Sequence, residues 1–364
     1  MLSPDQARRV FVRGVNWVGD AVMSTPALSH IRRAFPNATI ILHTRPGAAA
    51  VYRYNPDIDE LWVEDDSVSV RAYHRLALRI CAARFDYGFV FPNTLRCAAL
   101  MMIGGISERV GNDRRKLQHW EREFEDRTSV LTRAVPVTRE LLERHEVFYY
   151  LNIVNWLAVE SVSEPSLVLN SGSAEREDVS EMLTHRFGAS HDLRVAIAPA
   201  SINSEAKRWL PERFAGVADQ LVEKYGAAVY LIGSESEQKV IQHVKRLCRR
   251  PVTSLCGILD LGQAIAFLEY MHLFVGNDSG AMHIAAALDV PAVAVFGPTR
   301  VVNTAPFSAR SRLLLEFTDC APCMLRRCPT DHHCMTGVSV ARVMSAIEEL
   351  IPGTGVDRTR TGSR

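Results

Sequence analysis

Short apolar runs alternate along this chain with segments whose apolar residues recur at helical spacing. In the first half, the runs at 9–15, 39–43, 60–63 and 87–91 predict strands, and the segments at 20–35 and about 69–83 predict helices. From residue 194 the alternation restarts, with predicted strands at 194–198, 227–232, 272–275 and 292–296 and predicted helices at 211–225, 235–248, 260–270, 280–288 and about 338–350. Strands alternating with helices in both halves predict an α/β protein of two doubly wound domains.

The two halves are separated by a stretch rich in Ser and Glu, between about residues 162 and 192. We therefore predict a first domain over 1–175 and a second over 190–350. The tail 351–364 has no core-forming pattern and is predicted to be disordered. The polar residues 112–146 predict a long surface excursion, followed by a helix at about 140–158.

Two polar turns that contain glycine follow neighbouring strands in the second half. One is GNDSG at 276–280 and the other is GPT at 297–299. Asp278 or Ser279 can cap the next helix, whose first turn, with Gly280 and Ala281, offers free backbone N–H groups to an anion. The turn by itself also fits a plain capped helix with His283 inside the fold, but Thr299 at the same sheet edge favours a binding site.

Charged residues follow other strands at the edge where ligands bind in such sheets. Asp20 comes after Asn16 and Gly19 at the end of the first strand, where it can cap a helix or serve as a general base. Lys207 is either a solvated loop charge or a phosphate ligand. Glu237, and less surely Glu235, can cap a helix or accept hydrogen bonds from a ribose.

Four cysteines cluster near the C-terminal end, at Cys320, Cys323, Cys328 and Cys334. Their composition suits zinc, but their spacing matches no common finger or ribbon. Free thiols that pack a loop are the alternative. Arg326 and Arg327 lie in the same segment and offer a basic loop to an anionic substrate.

Composition excludes some classes of protein. With 42 basic and 41 acidic residues, the chain gives no electrostatic case for nucleic acid as a partner. No apolar run is long enough to span a bilayer, and the N-terminus has no signal-peptide pattern, so we expect a cytoplasmic protein. The motifs G-x-G-x-x-G and G-x-x-x-x-G-K-[ST] are absent where dinucleotide or nucleoside triphosphate binding would need them.

Four segments together resemble the heptosyltransferases of glycosyltransferase family 9. They are NWVGDAVMSTPAL, AKRW, GNDSGAMHIAAAL with PAVAVFGPT, and the cysteine-rich CAPC…RRCP…HHCM. The resemblance implies a GT-B fold, in which two Rossmann-like domains face a nucleotide-sugar cleft. It also implies that the first domain binds the acceptor and the second binds the nucleotide-sugar.

The resemblance further implies a role for individual residues. Asp20 matches a catalytic base and Lys207 a lysine near the donor phosphates, while the diphosphate is held by Asp278, Ser279, Gly280, Ala281 and His283. Glu237 matches a ribose ligand. The implied reaction transfers heptose from ADP-heptose, with inversion, to a Kdo-lipid A type glycolipid of the lipopolysaccharide inner core. It requires no metal or cofactor.

Such an acceptor implies peripheral contact with the inner face of the cytoplasmic membrane. Dispersed arginines at 109, 114, 115, 122, 326 and 327 offer limited support for that contact. Three alternatives stay open: another donor or acceptor within the family, a nucleotide-sugar 2-epimerase, and a non-catalytic binding protein. Asp20 and Lys207 argue against the last.

Overall fold

The computed structural model describes residues 4–113, 126–157, 164–187, 193–202 and 204–351. Its contacts divide the chain into two units, Met1–Leu169 and Asn170–Arg364. The division lies within the stretch that we expected to separate the domains. That stretch also holds a helix that the sequence analysis did not predict, Ser173–Phe187, which belongs to the second unit. Its sequence is mostly polar, so its helical periodicity is weak. The predicted disordered tail lies, from residue 352 on, outside the described residues.

The first unit is built on a six-stranded, wholly parallel sheet in the order β3-β2-β1-β4-β5-β6. Its strands are β1 Arg9–Arg13, β2 Thr39–Thr44, β3 Glu60–Val63, β4 Tyr87–Val90, β5 Glu108–Asp113 and β6 Arg133–Pro136. Its helices are α1 Val18–Ala34, α2 Ala49–Tyr52, α3 Val70–Ala83, α4 Leu95–Ile103, α5 Arg139–Leu142 and α6 Glu146–Asn152. The inner sides of α3 and α4 pack with Phe11, Ile41 and Val90 in one core cluster, so both helices cover the same face of the sheet.

The prediction of a surface excursion over 112–146 is wrong where the structure describes it. The last two residues of β5 and all of β6 lie there, and β6 closes the sheet as an edge strand. An edge strand needs little apolar sequence, and β6 is half-buried to exposed throughout, which explains why the pattern did not indicate it. The predicted helix at 140–158 is present only as the short helices α5 and α6. Residues 114–125 lie outside the described range.

The second unit has its own six-stranded parallel sheet, in the order β12-β11-β10-β7-β8-β9. Its strands are β7 Arg194–Ala198, β8 Ala228–Leu231, β9 Thr253–Ser254, β10 Leu273–Asn277, β11 Ala292–Val295 and β12 Ser311–Leu314. Its helices are α7 Ser173–Phe187, α8 Pro211–Tyr225, α9 Gln238–Leu247, α10 Leu261–Glu269, α11 Gly280–Ala287, α12 Val301–Thr304, α13 His333–Thr336 and α14 Val340–Leu350.

Both sheets therefore have the doubly wound strand order 3-2-1-4-5-6. In this order the chain reverses direction across the sheet between the first and fourth strands, which leaves a crevice at their carboxyl ends. The pairs that flank this point are β1 and β4 in the first unit, and β7 and β10 in the second. Within the described part of the chain, no helix combines the length and the apolarity that crossing a bilayer requires.

Candidate functional site

Three loops of the second unit meet at one carboxylate, that of Asp278. Asp278 follows β10 and is almost completely buried. Its Oδ2 accepts a hydrogen bond from Thr299 Oγ1, in the loop after β11, at 2.8 Å. The same oxygen lies 2.8 Å from Lys207 Nζ, in the loop after β7. The structure thus brings together Lys207, Asp278 and Thr299 at the carboxyl edge of the sheet, beside the β7/β10 crevice.

The neighbouring residue Asn277, the last of β10, holds the loop after β7 in place. Its fully buried side chain accepts a hydrogen bond from the Trp209 backbone N–H and donates one to the Pro199 carbonyl, both at 2.9 Å. Arg208 adds to the same loop by donating two hydrogen bonds to the Ser201 carbonyl. The loop that carries Lys207 is therefore held to the end of β10 from both sides.

Helix α11 begins at this edge, and Gly280 and Ala281 are its first two residues. Ser279 occupies the N-cap position but its side chain makes no capping bond, and Ser279 Oγ is shielded from solvent without a hydrogen-bond partner among the described residues. The first N–H groups of a helix have no partner within it, and its dipole favours an anion there. His283 is buried one turn further on. Backbone donors and a hydroxyl thus lie next to the Lys207–Asp278 pair.

The cysteine-rich segment packs against the loop of Lys207. The Ala206 N–H donates to the Arg326 carbonyl at 3.1 Å, and His332 Nε2 lies 2.7 Å from the Ala206 carbonyl oxygen. The Arg327 guanidinium pairs with Glu205 at 3.1 Å. Arg326 is therefore held beside Lys207 through its backbone, while its side chain is exposed. The segment supports the position of Lys207.

Gly297 lets the cysteine-rich segment approach the GPT turn. A Cβ at this position would lie 2.5 Å from Met335 Sδ and 3.0 Å from Cys334 Sγ, so any other residue would require these side chains to shift. The Met324 N–H also donates to the Pro298 carbonyl at 2.8 Å. The turn after β11 is thus fixed on one side by Asp278 and on the other by this segment.

The four clustered cysteines are free thiols. Burial raises the pKa of Cys334, and the other three thiols add to this effect. The Thr330 hydroxyl lowers the pKa of Cys328. Among the residues that the structure describes, no three His, Cys, Asp or Glu side chains are grouped closely enough to hold a metal ion.

Glu237 lies at the same edge, in the turn after β8. Its Oε2 accepts hydrogen bonds from the Ser234 N–H and hydroxyl, both at 2.8 Å, which forms a capping box. Glu235 is exposed. The predicted capping role is present for Glu237, and a contact with ribose stays a prediction.

In the first unit, Asp20 follows β1 but is not the residue that caps α1. Trp17 holds the N-cap position and is 59% exposed, whereas Asp20 is the third residue of the helix. The dipole favours a carboxylate in this first turn. Burial raises the pKa of Tyr52 and of Tyr150, and the Asp20 charge adds to both shifts, so Asp20 lies near two buried phenols. Gly19 precedes it in the same turn.

The sequence analysis missed a buried ionic network at the end of β1. Arg13, at the end of β1, pairs with Asp66 at 3.3 Å, and both side chains are fully buried. Arg45 also binds Asp66, at 3.1 Å, and Arg13 Nη2 lies 3.5 Å from Asn16 Oδ1. A charge at the end of the buried run RVFVR was the available signal. Arg109, by contrast, donates to the carbonyls of Val130 and Ile106, so it is a structural residue.

The family model described as "Glycosyltransferase family 9 (heptosyltransferase)" matches residues 73–333. That range contains Lys207, Asp278 and Thr299, while Asp20 lies before it. The chain belongs to glycosyltransferase family 9. It is therefore a glycosyltransferase, and the predicted GT-B architecture of two α/β units is confirmed by both the sheets and the structural likenesses below.

Relatives and solved structures extend this likeness over nearly the whole chain. The lipooligosaccharide heptosyltransferase 2 of Campylobacter jejuni is 26% identical over 94% of this chain and 99% of its own length. A family 9 glycosyltransferase structure from Veillonella parvula has a TM-score of 0.81 at 23% identity and covers 96% of this chain and 98% of its own. The ADP-heptose LPS heptosyltransferase II of E. coli has a TM-score of 0.73 at 22% identity, over 94% and 98%.

Proposed function

We propose that this glycosyltransferase moves a heptose from ADP-heptose to the lipopolysaccharide inner core, with heptosyl-Kdo2-lipid A as acceptor, and that the transfer inverts the anomeric configuration. The observation that carries the proposal is the Lys207–Asp278–Thr299 cluster beside the start of α11. A cation, backbone N–H groups and a hydroxyl at a strand-order reversal are the features that suit a nucleoside diphosphate. The names of the relatives support the sugar and the acceptor.

The leaving group of this reaction is ADP, and its negative charge grows as the glycosidic bond breaks. Donors that are already in place where the charge develops stabilise the transition state. Lys207 Nζ and the N–H groups of Gly280 and Ala281 are such donors, and Ser279 Oγ has no competing partner within the described structure. We assign these groups to the diphosphate.

Asp278 has a different part from the one that the resemblance implies. A carboxylate repels a diphosphate, so direct contact would oppose binding. Its two contacts instead fix Lys207 and Thr299. Asp278 therefore acts as a positioning residue, and its pairing with Lys207 keeps the long lysine side chain at the edge of the sheet.

Asp20 is the proposed general base. It takes the proton from the acceptor hydroxyl while that oxygen attacks the anomeric carbon, and ADP departs with the electron pair of the broken bond. The helix dipole favours negative charge in this turn, and a general base must carry such a charge. We assign Asn16 and Gly19 to binding of the acceptor, and Glu237 and His283 to binding of the donor. Arg326 is assigned to the edge of the substrate site. The scheme uses no metal ion.

The proposed acceptor is a membrane glycolipid, so the enzyme works at the inner face of the cytoplasmic membrane. We test the function by incubating the purified protein with ADP-heptose and heptosyl-Kdo2-lipid A, each alone and together, and following both substrates by mass spectrometry. Heptose transfer should require both substrates. Conversion of the donor without acceptor would indicate an epimerase, and transfer from another nucleotide-sugar alone would contradict the assigned donor.

A further inference from the structure

The outer surface of α3 and α4 combines exposed apolar side chains with arginines. Toward the sheet, the two helices bury residues such as Leu76, Ile80, Leu100 and Met101. Away from it, Leu78 is 58% exposed and Ile103 is 53% exposed. Val70, Leu95 and Met102 are exposed as well. We call this outer side the α3–α4 face.

Helical spacing places these side chains on the solvent-facing side of each helix. In α3, Arg71, Arg75 and Leu78 lie three or four residues apart and all three are exposed. In α4, Leu95, Met102 and Ile103 share the side opposite to the buried one. A helix that is apolar on all sides is normally buried, so the exposed outer side of α4 indicates that something covers it.

The two helices form one rigid surface. Tyr73 Oη, on α3, donates to the Arg96 carbonyl, on α4, at 2.9 Å, and the Arg96 guanidinium lies 4.2 Å from the centroid of the Tyr73 ring. At the end of α4, Gly104 lies so close to Ile80 that an added Cβ would be 2.5 Å from its side chain. The apolar and basic groups are thus presented together.

The charged residues of α3 and α4 are all arginines, of which Arg79 pairs with Glu64 in the segment before α3. Between residues 67 and 107 the chain has five arginines, no lysine and a single carboxylate, Asp86. That carboxylate accepts hydrogen bonds from the backbone N–H groups of Arg8 and Arg9. Arg71 and Arg75 form no ion pair with any residue that the structure describes. Apolar side chains among unneutralised arginines are complementary to a bilayer that contains anionic lipid.

We propose that the α3–α4 face is the surface by which this protein docks on an anionic membrane. The apolar side chains enter the boundary between headgroups and acyl chains, and Arg71 and Arg75 contact lipid phosphates. The inference rests on the proposed function in one respect, that the acceptor is a membrane glycolipid. It goes further by assigning the docking surface to the first unit rather than to Arg326 and Arg327.

The test measures the fraction of protein that sediments with anionic vesicles of phosphatidylethanolamine and phosphatidylglycerol. Vesicles of phosphatidylcholine, which carry no net charge, provide the comparison. Wild type should bind the anionic vesicles and lose affinity at high salt. Arg71→Glu/Arg75→Glu and Leu78→Gln/Ile103→Gln should each lower the partition coefficient by about tenfold or more. The matched control Lys245→Glu/Arg246→Glu reverses two exposed charges on α9 and should change nothing.

Three results would overturn the docking surface: unchanged binding by both α3–α4 variants, loss confined to Arg326→Gln/Arg327→Gln, or a dimer of wild type that the α3–α4 variants dissociate. The urea unfolding midpoint of the two α3–α4 variants reports their folding and should equal that of wild type. Transfer to acceptor dispersed in detergent separates the two proposals. Absence of that transfer in wild type would contradict the proposed function while vesicle binding still tests the surface.

Discussion

The two units share a strand order, but they differ in how the charged side chains at the carboxyl edges of their sheets are buried and paired. In the first unit, the side chains of Arg13 and Asp66 are both 0% exposed, and each is bound to further protein groups. In the second, the Lys207 side chain is 26% exposed and pairs with Asp278. The first arrangement neutralises charge inside the protein, and the second keeps a cation accessible to a ligand.

The difference has a simple electrostatic reason. Two fully buried charges have lost their hydration, so each depends on the other, and removal of either leaves an uncompensated charge. A partly exposed lysine keeps some hydration and can exchange or share its partner. The same fold therefore has an internally neutralised edge in one unit and an edge with an accessible cation in the other, and the proposed scheme assigns the general base, Asp20, to the first unit.

The largest effect is expected at Asp20. Asp20→Asn keeps the shape of the side chain but removes the base, so transfer should slow by roughly 100- to 10,000-fold. ADP affinity should stay within about threefold of wild type, because Asp20 and the proposed ADP site belong to different units. Kinetics of transfer and calorimetry with ADP provide the two measurements. Near-normal transfer would remove Asp20 from the role of base.

The buried pair in the first unit should matter mainly for stability. Asp66→Ala leaves Arg13 charged and buried, and should lower the free energy of unfolding by about 3–5 kcal/mol. Glu223→Ala breaks the exposed pair with Arg250 in the second unit and should cost less than about 1 kcal/mol. Urea denaturation measures both. Arg13→Met/Asp66→Leu should recover part of the loss; equal effects of Asp66→Ala and Glu223→Ala would contradict the comparison.

Lys207→Ala should act on the reaction rather than on folding. Loss of one preorganised charge at the leaving group is expected to slow transfer by roughly 100- to 1,000-fold. The matched control is Lys224→Ala, which removes an exposed lysine paired with Glu348 in the same unit. Transfer and ADP affinity should be unchanged in that control. Similar kinetics for the two variants would place the diphosphate elsewhere.

The buried edge should also make the first unit sensitive to acid. Burial, with a smaller contribution from Arg13, lowers the pKa of His43 from 6.5 to about 3. The unfolded chain therefore binds a proton below pH 6.5 that the folded chain does not, so stability falls as the pH falls through this window, by roughly 1 kcal/mol per pH unit. Comparison of urea midpoints for wild type and His43→Phe, from pH 7 to pH 4, isolates this contribution. If the urea midpoints of the two proteins changed in parallel with pH, His43 would not be the source of the acid sensitivity.

Much of the second unit could be predicted because buried parallel strands leave a strong local pattern. GNDSG and GPT follow neighbouring apolar runs, so their loops had to share one edge of the sheet. The contact that joins them could not be predicted, since Lys207 and Asp278 are far apart in sequence and their pairing depends on the loop conformations that Asn277 and Arg208 hold.

The first unit was harder to predict for two physical reasons. Its edge strand β6 is short and partly exposed, so apolar periodicity did not reveal it. Its buried arginine, Arg13, lies in an otherwise apolar strand, where the identity of its partner depends on the three-dimensional structure. Asp20 could be proposed as a base because it follows a strand directly, but the N-cap position of its helix is occupied by Trp17, whose side chain makes no capping bond.

The central claim is that the Lys207 edge of the second unit holds the diphosphate of the donor. A crystal structure with ADP bound tests it most directly. The account predicts phosphate oxygens within about 3 Å of Lys207 Nζ and of the backbone N–H groups of Gly280 and Ala281. Phosphates bound in the first unit, or at an edge of the second sheet away from Ser279 and Gly280, would contradict it.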